Sequence, residues 1–368
     1  MSRADAFRLL CGCLAQQLTE GLRHELRSLA QSDAISWETF VALASESLVA
    51  PLLHQAARDN GISDIFPSDV ADYFDGMATL NRQRNDRIRA QAIEIGVLLN
   101  NLDVVPVYLK GAAHLLAGLY QDSGNRIMVD LDILVPEDRL QDCVAALRQD
   151  GYEVLWDNGF PAHQHYPPMG HPERTAAVEL HVAALDYPYE RLLKTGEIIG
   201  SAVRVPCGGP ELAVPSLQAR VIHVIAHAQL SDHDYLYGRL ALRDFVDYAW
   251  LYHSSRNDID WSDICRRFTT ARAGTALSYH VNAAQRLLGL PVPDEIHVGP
   301  LAKALVDRAI WQIAHPRVLD LGVRLMQPAL LLRRSLSEAK LRRRLLTNLR
   351  DSDWYRRQLR RLGGQDQS

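Results

Sequence analysis

The chain has 368 residues, with 40 Lys and Arg against 44 Asp and Glu, and a net charge of −4 gives no global sign of nucleic-acid binding. Its hydrophobic share of 47% is enough for more than one simple core, and five cysteines without a CxxC pair argue against a disulfide framework in favour of helix-core thiols. The first residues carry charge and helical periodicity rather than a secretory leader, and no apolar run reaches about 18 residues. The expectation is therefore a soluble, cytoplasmic protein without a membrane partner.

Taken in chain order, residues 5–97 space apolar groups three to four apart, as at Phe7, Leu9, Leu10, Leu14 and Leu18, and predict a helical cap over residues 1–100. The pattern changes at Asn101. Residues 104–109 form a short strand candidate, 111–120 return to helix, and 127–135 are a second strand. Residues 137–149 make an amphipathic helix closed by Gly151, followed by strands at 152–156 and 176–183. The segment 157–175 is rich in Pro, Gly and His and reads as a loop. A hairpin over 202–205 and 211–214 ends this central unit, residues 101–214. Residues 215–330 are helical again. From 331 to 368 comes a basic helical tail in which residues 331–362 hold eleven Lys or Arg and three acids, a net +8. Its leucine stripe predicts packing onto the bundle or a homodimer contact more than an anionic partner.

Asp130-Leu131-Asp132 interrupts the apolar run of residues 127–135. Alternation in a strand sends both carboxylates to one face, where like charges repel and a cation is wanted. A third acid stands in Val178-Glu179-Leu180-His181 on another strand. With the Gly turn at Leu109-Lys110-Gly111 and the cation of Arg126, three carboxylates from two strands suit Mg²⁺, or Mn²⁺, and a triphosphate.

These residues, together with Ala112-Ala113, Tyr120 and Met128 to Val135, resemble the DNA polymerase β-like nucleotidyltransferase superfamily, most closely its bacterial branch. Upstream Leu48-Val49-Ala50-Pro51 and downstream Ala226-His227, Leu242-Arg243-Asp244 and Asp247 extend the resemblance over residues 5–290. It implies an α+β fold, a small mixed-sheet nucleotidyltransferase core flanked by N-terminal and C-terminal helical regions. It also implies transfer of a nucleoside monophosphate, AMP from ATP for preference, to a hydroxyl with release of pyrophosphate. Asp130, Asp132 and Glu179 are then the catalytic and metal-binding residues, and Lys110, Gly111, Arg126 and His181 the nucleotide-binding ones. The acceptor is expected to be a small molecule, a peptide or a protein in preference to RNA. Two other readings stay open: a non-catalytic nucleotide sensor that binds a partner, and an RNA-end enzyme or RNA-binding regulator using the tail.

Blander roles stand beside these. Lys110 is also readable as a strand-end surface lysine, and Arg126 as a side chain holding Asp130 in place. His223 and His227, at i and i+4, lack a third ligand at a recognisable spacing and read as packing groups. His163, His165 and His171 read as exposed loop histidines in preference to lining the acceptor pocket, and Asp244 and Asp247 as partners of a core arginine such as Arg243 in preference to facing the nucleotide's ribose.

Overall fold

The periodic N-terminal stretch resolves into α1 (Arg3–Leu14), α2 (Glu20–Ala30), α3 (Trp37–Glu46), α4 (Ala50–Asp59) and the long α5 (Ser68–Asn100). The computed structural model describes residues 3–32, 35–156, 165–254 and 258–337. Thr19 and Ser36 cap α2 and α3 by accepting from Leu22 N and Thr39 N. The apolar run from Trp37 to Ala57 is not one helix. It breaks at Leu48, whose φ of 58° lies in the left-handed region.

The central segment then follows: β1 (Val107–Tyr108), α6 (Lys110–Leu116), β2 (Asp130–Leu134), α7 (Leu140–Gln149), β3 (Glu153–Val154), β4 (Met169–Gly170), β5 (Ala177–His181), α8 (Thr195–Gly200), β6 (Val203–Val205) and β7 (Leu212–Val214). The strands form one seven-stranded mixed sheet in the order β3-β4-β5-β2-β1-β7-β6. β2 runs parallel to β5 and antiparallel to β1, and β7 lies parallel to β1. This is the mixed sheet expected, with helices before and after it: an α+β fold. β4 falls inside the segment expected to be loop. At two residues, its strand character comes from pairing with β3 and β5 rather than from any run of its own.

Alternation divides the sheet faces. Tyr108, Leu131, Ile133, Val178 and Leu180 turn to one side and join a core with Ile88, Ala92 and Ile95 of α5 and Cys143, Val144 and Leu147 of α7. The opposite face carries Asp130, Asp132, Glu179 and His181, residues two apart on β2 and β5.

After the sheet come α9 (Leu217–Ala226), which runs into a π-helical turn at His227–Ser231, then α10 (Asp234–Tyr237), α11 (Leu242–Ser254), α12 (Trp261–Thr270), α13 (Gly274–Leu288), α14 (Pro300–Ile313) and α15 (Pro316–Ser337). Apolar groups of α1 to α4 share one buried core with those of α9, α11, α13 and α14. Cys11, Cys13 and Cys143 are buried, and Cys207 and Cys265 half-buried, all as free thiols. Among the described residues, 3–314 form one compact unit and α15 belongs to a second. The basic tail expected from 331 onward lies outside the described residues, apart from the backbone of α15 up to Ser337. No single described helix is long and apolar enough to cross a membrane.

Candidate active site

The register between β2 and β5 builds the site. Asp132 lies opposite Glu179 and Leu134 opposite His181, so parallel pairing brings the second acid of the pair beside the third acid and its neighbouring imidazole. His181 Nε2 stands 2.8 Å from Asp132 Oδ1 and 3.5 Å from Glu179 Oε2. Lys110 Nζ donates to the same Asp132 oxygen at 2.8 Å. One possible ligand atom each from Asp132, Glu179 and His181 lie within 4.8 Å of one another, and among the described residues only this group has a metal-holding arrangement. Asp130 is half-buried on the same face, and its side chain makes no hydrogen bond or ion pair among the described residues.

The electrostatics follow from these contacts. Burial opposes charge on Asp132, but Lys110 and His181 more than offset it and hold the carboxyl well below the usual carboxylate range. Burial likewise opposes charge on Glu179, and the His181 hydrogen bond outweighs it, so this carboxyl is lowered too. Asp130 moves the other way: burial and then the neighbouring charge of Asp132 push it up. His181 and Lys110 are raised despite burial by their carboxylate partners. The cluster thus sets Lys110 and His181 against its carboxylates, and its oxygen-rich donors with one imidazole suit a divalent cation such as Mg²⁺ or Mn²⁺.

Lys110 sits at the β1–α6 junction with φ 47°, a conformation a non-glycine residue rarely adopts. It is not a surface lysine; the turn aims it back at Asp132. Gly111 has no room for a side chain, because a Cβ there would overlap Arg126 Nη1. Its smallness leaves room for the guanidinium.

Arg126 does not face the acid pair. It makes a bidentate pair with Asp247 of α11, Nε–Oδ1 at 2.8 Å and Nη2–Oδ2 at 2.7 Å, and Tyr120 Oη donates to Asp247 Oδ1 at 2.5 Å. Burial works against both charges, yet each stabilises the other: Arg126 is raised and Asp247 lowered to about 2. From α5, Asn81 and Asn85 donate to Arg126 O at 2.9 and 2.8 Å, which fixes the chain entering β2.

The remaining histidines separate. His165 Nδ1 is 4.0 Å from Glu179 Oε2 and so borders the site. His171 packs on the Tyr152 ring instead, and His163 lies outside the described residues. His223 and His227 pack ring to ring, with His227 Nδ1 3.2 Å from Asp232 Oδ2. Asp244 stays near Arg243 at 3.5 Å, whereas Asp247 chooses Arg126, a partner 121 positions away that no local spacing could name.

Two cavities meet at His114 and Arg126. The larger, about 380 Å³, is lined by Asp86, Arg89, Tyr120, Gln121 and Ser123 among others. The smaller, about 60 Å³, is lined by Lys110, Arg220, His223, Arg243 and Asp244 besides the shared pair. Arg220 was not singled out by sequence, since one arginine on an amphipathic helix carries no signal.

A family model described as uncharacterised nucleotidyltransferase matches residues 33–289. No curated protein and no solved structure matches the chain.

Proposed function

The chain belongs to the uncharacterised nucleotidyltransferase family, enzymes that transfer a phosphorus-containing group, and on that premise we propose that it moves AMP from ATP to an acceptor hydroxyl and releases pyrophosphate. The observation that carries this reading is the parallel β2–β5 register, which stacks Asp132 on Glu179 with Asp130 on the same face and His181 between the acids. In this reading the family is related to the DNA polymerase β-like superfamily, and a divalent cation, Mg²⁺ for preference, is held by Asp130, Asp132 and Glu179. When bound, such a cation neutralises polyphosphate charge and lowers the pKa of an acceptor hydroxyl. The protein's own groups do the rest. Glu179, half-buried and kept ionised by His181, accepts the acceptor's proton. Lys110 keeps Asp132 ionised and places a positive charge on the lining of the small cavity. The larger cavity has the size and polar lining of a small-molecule subsite, which supports a small or peptide-like acceptor over RNA.

Full-length protein incubated with labelled ATP, Mg²⁺ and separate pools of metabolites, peptides and RNA tests the reading. Metal-dependent pyrophosphate release with a labelled product in one pool is expected, and Asp130→Asn should abolish it. Near-normal release from Asp130→Asn in metal-verified preparations would overturn the assignment.

A further inference from the structure

We propose that the small cavity between α6, α9 and α11 receives the terminal phosphoryl group of the nucleoside triphosphate, with Arg220 as the cation that grips it. This rests on the nucleotidyltransferase reading, but it places part of the nucleotide site in the C-terminal helices, outside the sheet segment.

The cavity's charges can be assigned one by one. Lys110 is committed to Asp132 at 2.8 Å, and Arg126 to Asp247 at 2.7 Å. Arg243 stands 3.5 Å from Asp244, a loose pairing that leaves its buried Nε without a hydrogen bond. Arg220 has no ion pair and no hydrogen bond among the described residues, and its Nε is buried. Only burial acts on its guanidinium, with no carboxylate in compensation. An unpaired, half-buried cation with a buried Nε is costly to the extent that desolvation is not offset by an opposite charge.

A second group points the same way. His223 is only 4% exposed, lines the same space, and leaves Nε2 without a partner. Burial keeps its ring neutral, so it offers a donor without demanding a counter-ion. The helix opens into its π turn at His227, one turn further on, a distortion common at functional sites.

Charge selects the ligand, and a cavity of about 60 Å³ has room for one phosphoryl group. A forked guanidinium is matched by phosphate oxygens, which accept two parallel hydrogen bonds. Lys110 joins this cavity to the carboxylate cluster, so a phosphate chain entering here leads toward Asp132. Transfer forms a bond from the acceptor oxygen to the first phosphorus, whose bond to the oxygen bridging it to the second phosphorus breaks; the acceptor proton passes to Glu179 and the gripped group leaves within pyrophosphate.

The test is binding of ribonucleoside triphosphates and their diphosphates to full-length protein by calorimetry, in Mg²⁺ and in EDTA. Wild type should prefer the triphosphate by about tenfold or more, the worth of a charge-assisted pair. Arg220→Gln should bind the two alike, and Arg220→Lys should keep part of the preference. Melting curves verify folding, and if Arg220→Gln unfolds, a weakened preference in Arg220→Lys carries the same result. A wild type without triphosphate preference, or folded Arg220 variants that keep it within about twofold, would overturn the proposal. Failure of the transfer reading looks different: wild type would release no pyrophosphate with any acceptor pool, or release would survive Asp130→Asn, whatever Arg220 does.

Discussion

Asp130 and Asp132 are equivalent in the sequence, yet their surroundings predict different mutants. Asp132 is fully buried and anchors both Lys110 and His181, so Asp132→Asn should remove activity and also destabilise the fold by about 3–5 kcal/mol, since two cations lose their anion. The Asp130 side chain has no partner among the described residues, and Asp130→Asn should remove activity while leaving the denaturation midpoint unchanged. Parallel urea curves check both, and equal midpoints for the two variants would contradict the division. Glu179→Gln should still bind ATP with Mg²⁺ but transfer slowly, which ATP calorimetry beside a rate assay resolves. Buried groups also set an acid response, His114 and Asp247 among them. Burial lowers His114 from 6.5 to about 3, so below pH 6.5 the unfolded chain takes the proton first and stability falls as pH drops toward 3. Asp247, despite burial, is lowered by Arg126 from 3.8 to about 2, so its contribution is present above 3.8 and lost as pH falls through about 2. Melting temperature should therefore decline from pH 7 to pH 4, and His114→Gln should flatten that decline. Identical slopes would remove His114 from the account.

At the scale of elements, the link between the sheet and α11 is the Arg126–Asp247 pair with Tyr120, seated against Gly111 at the start of α6. Gly111→Ala drives a methyl group into a guanidinium that Asp247 holds on two sides. It should cost about 1–3 kcal/mol, as overpacking does. Asp247→Asn strands a buried arginine and should cost more, about 3–5 kcal/mol. Chemical denaturation orders the two, and a Gly111→Ala variant as stable as wild type would show that Arg126 can move aside. β2 and β5 were legible because each is an apolar run interrupted at one face only. β4 was not, because its two residues have meaning only beside β3 and β5.

At the scale of the molecule, the N-terminal helices share their core with the C-terminal ones. Leu9, Leu10 and Phe40 are fully buried in the same cluster as Phe245, Tyr248 and Tyr279. A chain beginning at Ser68 would expose that surface, and it should lose its cooperative melting transition rather than yield a free catalytic core. A soluble, cooperatively melting truncation would refute this. Leu10→Ala, with a buried side chain removed, should cost about 2–5 kcal/mol in full-length protein by the same measurement.

Sequence by itself determined the strands of the acid cluster and the shared face of Asp130 and Asp132, because a period of two and a period of 3.6 are local properties of the chain, and the α+β fold class came with the family resemblance those residues carry. It also marked Glu179 and His181 as one face of a second strand. Only the tertiary structure decided that Asp132 meets Glu179, since that depends on a register between strands 47 positions apart. It alone decided that Lys110 serves Asp132, that Arg126 turns from the acids to Asp247, and that Arg220 is left without a partner in a cavity. Charge pairing acts through space, and a sequence orders charges only along a line.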